Sequence, residues 1–330
     1  MPSRNCVSRA IALCCATGLF TPALNAAQSD PASLYPTKPI RFIVPYSPGA
    51  GTDTTARVIA AKLSEKWGQQ VVVDNRTGGG GTLGVDHTAN ANPDGYTICL
   101  VSASHATAEA SGQKLNYNLL TDLQPITQAT SIFYVVYHPP SLPVKSIREL
   151  IAYAKAHPGK LNYGTSGLGS LQHFSGELMN HMAGIRLVHI PYKGAANIIT
   201  SMLANEVHVG FNSMFSVRPQ VLAGRLRWLA ITDSKRSPSV DLPTVAEAGL
   251  PGYEVNQWYG IITAAKVPAS IVRKLHAGVT EALQAPDVIQ RLTADGSQLV
   301  GNTSEQFGAH IRADISKWRK LIREANLKLN

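Results

Sequence analysis

The stretch that most restricts the fold is residues 40–67, IRFIVPYSPGAGTDTTARVIAAKLSEKW. It opens with Ile40 to Val44, an apolar, β-branched run of the length of a buried strand. Pro45, Pro48, Gly49 and Gly51 then break regular structure and force a tight loop. Thr52 or Asp53 can cap the helical pattern that follows, which places Ala56, Ile59, Ala60 and Leu63 on one face. Strand, small-residue loop and helix start bring unpaired N–H groups and the positive end of a helix dipole to one spot, and that spot suits an anion. A plain strand-to-helix turn with no ligand is the alternative reading of this stretch alone.

The unit repeats. Residues 70–74 read as a second strand, followed by the glycine run 78–81, a short helix over 82–91 and the turn Asn92-Pro93-Asp94-Gly95. The glycine run lacks the Gly-Lys-Ser/Thr ending of a phosphate loop and fits the spaced dinucleotide fingerprint only loosely. It reads as a loop that brings backbone close to a cleft. Residues 96–102 form a third strand that ends in Ser102-Ala103-Ser104-His105. Three strands delivering small polar loops to one edge describe an open α/β sheet, which binds ligands beyond the carboxyl ends of its strands.

Beyond Tyr117 the texture changes. Residues 123–138 contain the extended run 132–137, which His138-Pro139-Pro140 stops; a helix over 147–156 follows. Residues 161–173, LNYGTSGLGSLQH, again give strand, glycine-spaced loop and helix, now offering Thr165, Ser166, Ser170 and His173. Further strands are expected at 187–191, 207–211 (ending at Asn212-Ser213) and 226–232, with a helix at 197–204 and a short one at 242–249. An extended run at 253–264 carries Trp258, and helices at 270–284, 287–295 and 304–326 complete the chain.

Ser and His this close raise a hydrolase reading. Gly164-Thr-Ser-Gly167 is not the G-x-S-x-G elbow, however, and no Asp or Glu stands ready to orient His173. A hydrogen-bonding His in a binding loop, or one capping its own helix, is the simpler account. The ten histidines are dispersed, without metal-binding spacing, so no metal and no cofactor is expected.

Residues 1–27 carry Arg4 and Arg9, an apolar stretch over 10–20 and small residues at the end. This is the pattern of a cleavable export signal, with cleavage expected after Ala26 or Ala27, and its apolar stretch is too short to span a bilayer. Cys6, Cys14 and Cys15 leave with it, so Cys99 has no internal partner and is expected to pack as a small hydrophobe. The core must then supply the stability. The formal charge of +9 falls to +7 without Arg4 and Arg9 and is scattered, not clustered with aromatics, so no nucleic-acid partner is expected.

Several motifs occur in a familiar order: VPYSPGAGTDTTAR (44–57), DNRTGGGGTLG (74–84), NPDGYT (92–97), NYGTSGLGSLQH (162–173), HIPYKGA (189–195), KRSPSVDLPTVAEAGLPGYE (235–254) and the Trp258 region. Over essentially the whole mature chain the sequence resembles the substrate-binding proteins of tripartite tricarboxylate transporters, the Bug family of periplasmic receptors. The resemblance implies an α/β, two-domain periplasmic-binding-protein fold (Venus flytrap, type II-like), with the cleft between domains and two crossing strands near 124–137 and 253–264. Residues 35–126 with 251–330 would form one domain and 127–250 the other. It implies a periplasmic monomer that binds a small carboxylate through backbone amides and hydroxyls and hands it to the membrane subunits of a tripartite transporter. It implies no enzyme.

On this reading Tyr46, Ser47, Gly49, Ala50, Thr52 and Asp53, with Ser102 and Ser104, supply one wall, Asp53 by fixing its loop. Thr165, Ser166, Ser170, His173, Tyr192, Ala195 and Asn212 supply the other. The sequence departs from the family pattern at Asn197 and at Asn205-Glu-Val-His208. An exported sensor of the same fold, or a Ser/His hydrolase, are the alternatives.

Overall fold

The apolar runs found in the sequence become the strands of a mixed sheet in the computed structural model, which describes residue 30 and residues 32–329 except 50, 193 and 295. The expected export signal and its three cysteines lie outside the described residues. The first half builds β1 (Ile40–Val44), α1 (Gly51–Trp67), β2 (Val71–Asn75), α2 (Thr82–Ala89), β3 (Thr97–Ser102) and α3 (Ala103–Ala110). β1 pairs in parallel with both β2 and β3, and Ile40, Phe42, Ile43 and Val44 are all buried, as a strand covered on both faces requires.

The long strand β4 (Leu123–His138) leads into α4 (Ile147–Ala156), β5 (Leu161–Thr165), α5 (Leu171–Ala183), β6 (Leu187–Pro191), α6 (Ala195–Leu203), β7 (Val209–Ser213), α7 (Met214–Leu222) and β8 (Arg227–Ile231). β5 pairs in parallel with β6 and β7, repeating the pattern of the first half. The chain returns through β9 (Asn256–Ala264) and ends with α8 (Ala269–Gln284), α9 (Pro286–Thr293), β10 (Gln298–Leu299) and α10 (Ser304–Glu324).

The main strand order is β2-β1-β3-β9-β4-β7-β5-β6. β9 is antiparallel to β3 over Tyr259 to Thr263, and to β4 over its whole length. The start of β4 pairs with β9, while Tyr134 to His138 pair with β7 and β8. β4 therefore spans both parallel half-sheets, each with its own helices, while β9 pairs with β3 and the first part of β4, and the fold is the expected two-domain α/β architecture. One core packs β1 and β3 against α1 and α8 through Phe42, Leu100, Ile59 and Leu275. Another packs β4 against α6 and α7 through Val135, Tyr137, Ile198 and Val217. A third runs from Val101 through Val136 and Phe174 to Trp258 and Trp318. Helix α10 ties it down: Trp258 Nε1 donates to Asp314 at 2.9 Å, and the Trp318 ring lies 5.1 Å from that of Phe174.

Two local expectations change. Residues 242–249 form no helix, because Thr244 bridges to Ile231 and Val245 N–H bonds the Ile231 carbonyl, leaving length for a turn only. Helices α3 and α7 start on the residue after a strand, with no loop to announce them. Cys99 is fully buried and free, and burial pushes its thiol up to about 12. The departures at Asn205 and His208 are structural. His208 Nδ1 accepts from Asn162 N–H at 3.0 Å, and Asn205 accepts from Ser141, at the strand ends remote from the β5 and β7 carboxyl termini.

Candidate functional site

Within each half-sheet the parallel strands end at one edge, and the turns after β1, β2, β3, β5, β6 and β7 line common cavities. Two cavities open among them. One, of about 580 Å³, is lined by Gly49, Gly51 and Thr54 at α1, Gln172 in α5, Ala195 in α6, and Asn212, Ser213 and Ser216 around the start of α7. Ile132, Tyr134, Gln257, Tyr259, Phe215, Arg291 and Leu292 complete its principal walls. The other, of about 670 Å³, takes Tyr46, the Gly79-Gly80 turn, Thr82, Ser104, Lys114, Ser166, Leu168, Gly169 and Ser170. Ser166 Oγ donates to Gln172 Oε1 at 3.0 Å and so joins the two linings. Six helix starts, those of α1, α2, α3, α5, α6 and α7, face these cavities, and no Asp or Glu lines either among the described residues. Unpaired first-turn N–H groups without competing carboxylates make an environment for anions.

Asp53 holds the first turn. It is buried in α1 and accepts from Gly49 N–H, Arg57 Nε and Asn75 Nδ2, each at 2.9 Å. Burial alone would raise its pKa; the bonds from Arg57, Gly49 and Asn75 more than offset this and hold it at about 2. Asn75 also donates to the Tyr46 carbonyl at 3.0 Å, so one carboxylate fixes the loop from both ends. Gly49 has φ +82°, a conformation glycine adopts without strain. Tyr46 bonds Ser102 Oγ at 2.9 Å, and burial raises its pKa despite bonds to Ser102 and Ser104. Ser102 starts α3 and gives its N–H to His105 Nδ1 at 3.0 Å. Burial brings His105 down to about 4.

In the second half, Ser170 is the N-cap of α5, accepting from His173 N–H at 3.2 Å and donating to the Gly167 carbonyl at 2.7 Å. The His173 ring turns back on the same loop, where its Nδ1 accepts from Gly169 N–H at 3.2 Å. Neither the Ser166 nor the Ser170 hydroxyl bonds the His173 ring in these contacts. Thr165, buried at the end of β5, bonds His189 Nε2 at 2.6 Å, and the two imidazoles sit 4.4 Å apart. Burial lowers both to about 4, with His173 adding to the effect on His189. Thr107 Oγ1 of α3 donates to the Gly169 carbonyl at 3.1 Å, a direct bond from one half of the fold to the loop of the other.

Of the residues expected from sequence, Gly49, Ala195 and Asn212 line the first cavity, and Tyr46, Ser104, Ser166 and Ser170 the second. Ser47 is exposed nearby, outside both linings, and Ala50 lies outside the described residues. Thr52, Asp53, Ser102, Thr165, His173 and Tyr192 stand behind the turns. Thr52 Oγ1 is buried without a hydrogen-bond partner there. Asn212 Oδ1 is engaged by the Tyr137 hydroxyl at 2.8 Å. Gln172, Ser213, Ser216, Gln257, Tyr259 and Arg291 were missed. The strand-end rule reaches Ser213 and Ser216, and Gln172 lies within the quoted 162–173 motif, but Arg291 has no local signal. No group of three or more metal-ligating side chains occurs among the described residues.

Comparison with known proteins identifies the family. The family model described as tripartite tricarboxylate transporter family receptor matches residues 55–327. Protein BugT of Bordetella pertussis is 35% identical over 317 residues, covering 94% of this chain and 97% of BugT. Among solved structures, an R. palustris protein with adipate is 35% identical, with a TM-score of 0.76 over 88% of this chain and 98% of that one. MatC from Rhodopseudomonas palustris with bound malate is 29% identical, with a TM-score of 0.73 over 87% of this chain and all of its own. In sequence and in fold, this chain belongs to the tripartite tricarboxylate transporter receptor family, the Bug proteins, a family of solute-binding receptors.

Proposed function

We propose that this protein is a periplasmic receptor that captures a small organic acid in the cleft and delivers it to the membrane subunits of a tripartite tricarboxylate-type transporter. The observation that carries the reading is the convergence of six helix starts and their hydroxyls on cavities that no described carboxylate lines. Carboxylates accept charge-assisted bonds from such donors. The relatives solved with adipate and malate support the same chemistry.

Residues 35–126 with 251–330 form the first lobe in this proposal and 127–250 the second, with β4 and β9 as crossings. Residues 1–27 direct export, the receptor acts as a monomer, and no catalysis is involved. Tyr46, Gly49, Ser104, Ser166, Ser170, Ala195 and Asn212 face the ligand; Asp53, Thr165 and His173 hold the loops that do.

A thermal-shift screen of the mature protein against mono-, di- and tricarboxylates and amino acids tests this. A true ligand at a hundred times its Kd stabilises the fold by about 2.7 kcal/mol. A panel without a single stabilising carboxylate refutes the proposal.

A further inference from the structure

Arg291 is the only charged side chain among the described residues lining the 580 Å³ cavity. It stands in the last turn of α9, is exposed, and has no ion pair among the described residues. Arg41 and Arg76 pair with Asp74, Arg57 with Asp53, Arg236 with Glu247 and Arg319 with Glu109; among the described arginines outside these pairs, Arg291 alone lines this cavity. The acid on its own helix, Asp287, is drawn to Lys62 at 3.1 Å. An unneutralised guanidinium at a cavity wall focuses the field on whatever enters.

The same cavity presents the first turn of α1 at Gly51 and Thr54, whose backbone N–H groups are neutral donors, and the apolar surfaces of Ile132, Tyr134 and Leu292. We propose that Arg291 binds the second carboxylate of a diacid whose acid groups are separated by an apolar body. The first carboxylate sits at the α1 turn, the body lies along the apolar wall, and the planar fork of the guanidinium holds the far end bidentately. Arg291 is then what separates diacids from monoacids of the same length. This inference rests on the receptor reading above.

The test uses matched acids, adipate against hexanoate and terephthalate against 4-methylbenzoate, titrated calorimetrically into wild type, Arg291→Gln and Arg291→Lys. Wild type is expected to prefer at least one diacid over its partner. Arg291→Gln should weaken that diacid about ten- to hundredfold, or about 1.4 to 2.8 kcal/mol, and leave the monoacid unchanged. Arg291→Lys should recover part of the loss, since it keeps the charge without the fork. Equal binding of diacids and monoacids, binding of monoacids alone, or an Arg291→Gln effect that is absent or equal for both overturns the proposal. If none of the four acids binds, the proposal falls as well. The carboxylate screen then decides whether the receptor reading falls with it, since another carboxylate that binds leaves that reading standing.

Discussion

Replacing Asp53 by alanine tests whether one buried carboxylate shapes the anion-binding turn from behind. The substitution removes the acceptor of three bonds, from Gly49, Arg57 and Asn75, each at 2.9 Å. Bonds to charged groups contribute about 1.5–3 kcal/mol each when the abandoned partner stays buried. Two of these donors escape that penalty: the Arg57 side chain is half exposed and Gly49 borders the cavity, so water takes over both. What remains is chiefly the Asn75 amide and the lost closure of the turn, for a net destabilisation of about 1–3 kcal/mol. Affinity for a carboxylate should fall too, although Asp53 lines neither cavity, because Gly49 loses the bond that orients it. The pH dependence is specific. The folded carboxyl titrates at about 2 against an ordinary 3.8, so its contribution is complete above pH 3.8 and disappears as pH falls through about 2. Urea denaturation of wild type and Asp53→Ala should therefore differ at pH 7 and converge toward pH 2. Unchanged stability together with unchanged affinity at pH 7 would refute the reasoning.

Two further outcomes follow from packing and burial. Gly260 of β9 faces the Phe307 ring so closely that a Cβ would collide with it, so Gly260→Ala should cost about 1–3 kcal/mol by overpacking. Adding Phe307→Leu should return part of that loss in chemical denaturation; an additive double variant would contradict the collision. His105, His173 and His189 are held at about 4 by burial, below their ordinary 6.5. Between these values the unfolded chain binds more protons than the folded one, so these residues lower stability as pH drops from 6.5 toward 4. Ring-proton NMR titration should show the three imidazoles neutral at pH 6, and midpoints near 6.5 would count against their burial.

Much of this architecture is legible because the βα unit is local. An apolar run of five residues, a Gly/Pro break and a helical stripe lie within thirty positions, as in β1 and α1, and each feature has its own physical signature. The helices that escaped reading lack one of the three. α3, ASHATAEA, has small and polar residues and begins directly after Ser102, while α7 contains Pro219 and shows almost no apolar stripe. The reverse error, at 242–249, arose because LPTVAEAG has helical composition while its backbone is already committed to Ile231. Composition there describes a preference that a neighbouring strand overrules.

The candidate site divides along the same line. Its neutral donors come from strand ends, whose position follows once the strands are found, so Gly49, Ser104, Ser170 and Asn212 could be named in advance. Its imidazole pair could not, because His189 reaches His173 through the pairing of β5 with β6, where Tyr163 is opposite His189. Arg291 is remoter still: it joins the α1 turn only after the chain has built the second half-sheet and come back through β9. On the proposed reading, neutral anion binding comes from a short repeated motif, whereas the single described charge of the 580 Å³ cavity arrives by long-range folding. A substitution at Arg291 then alters which acid is preferred without removing any strand, turn or cap described above.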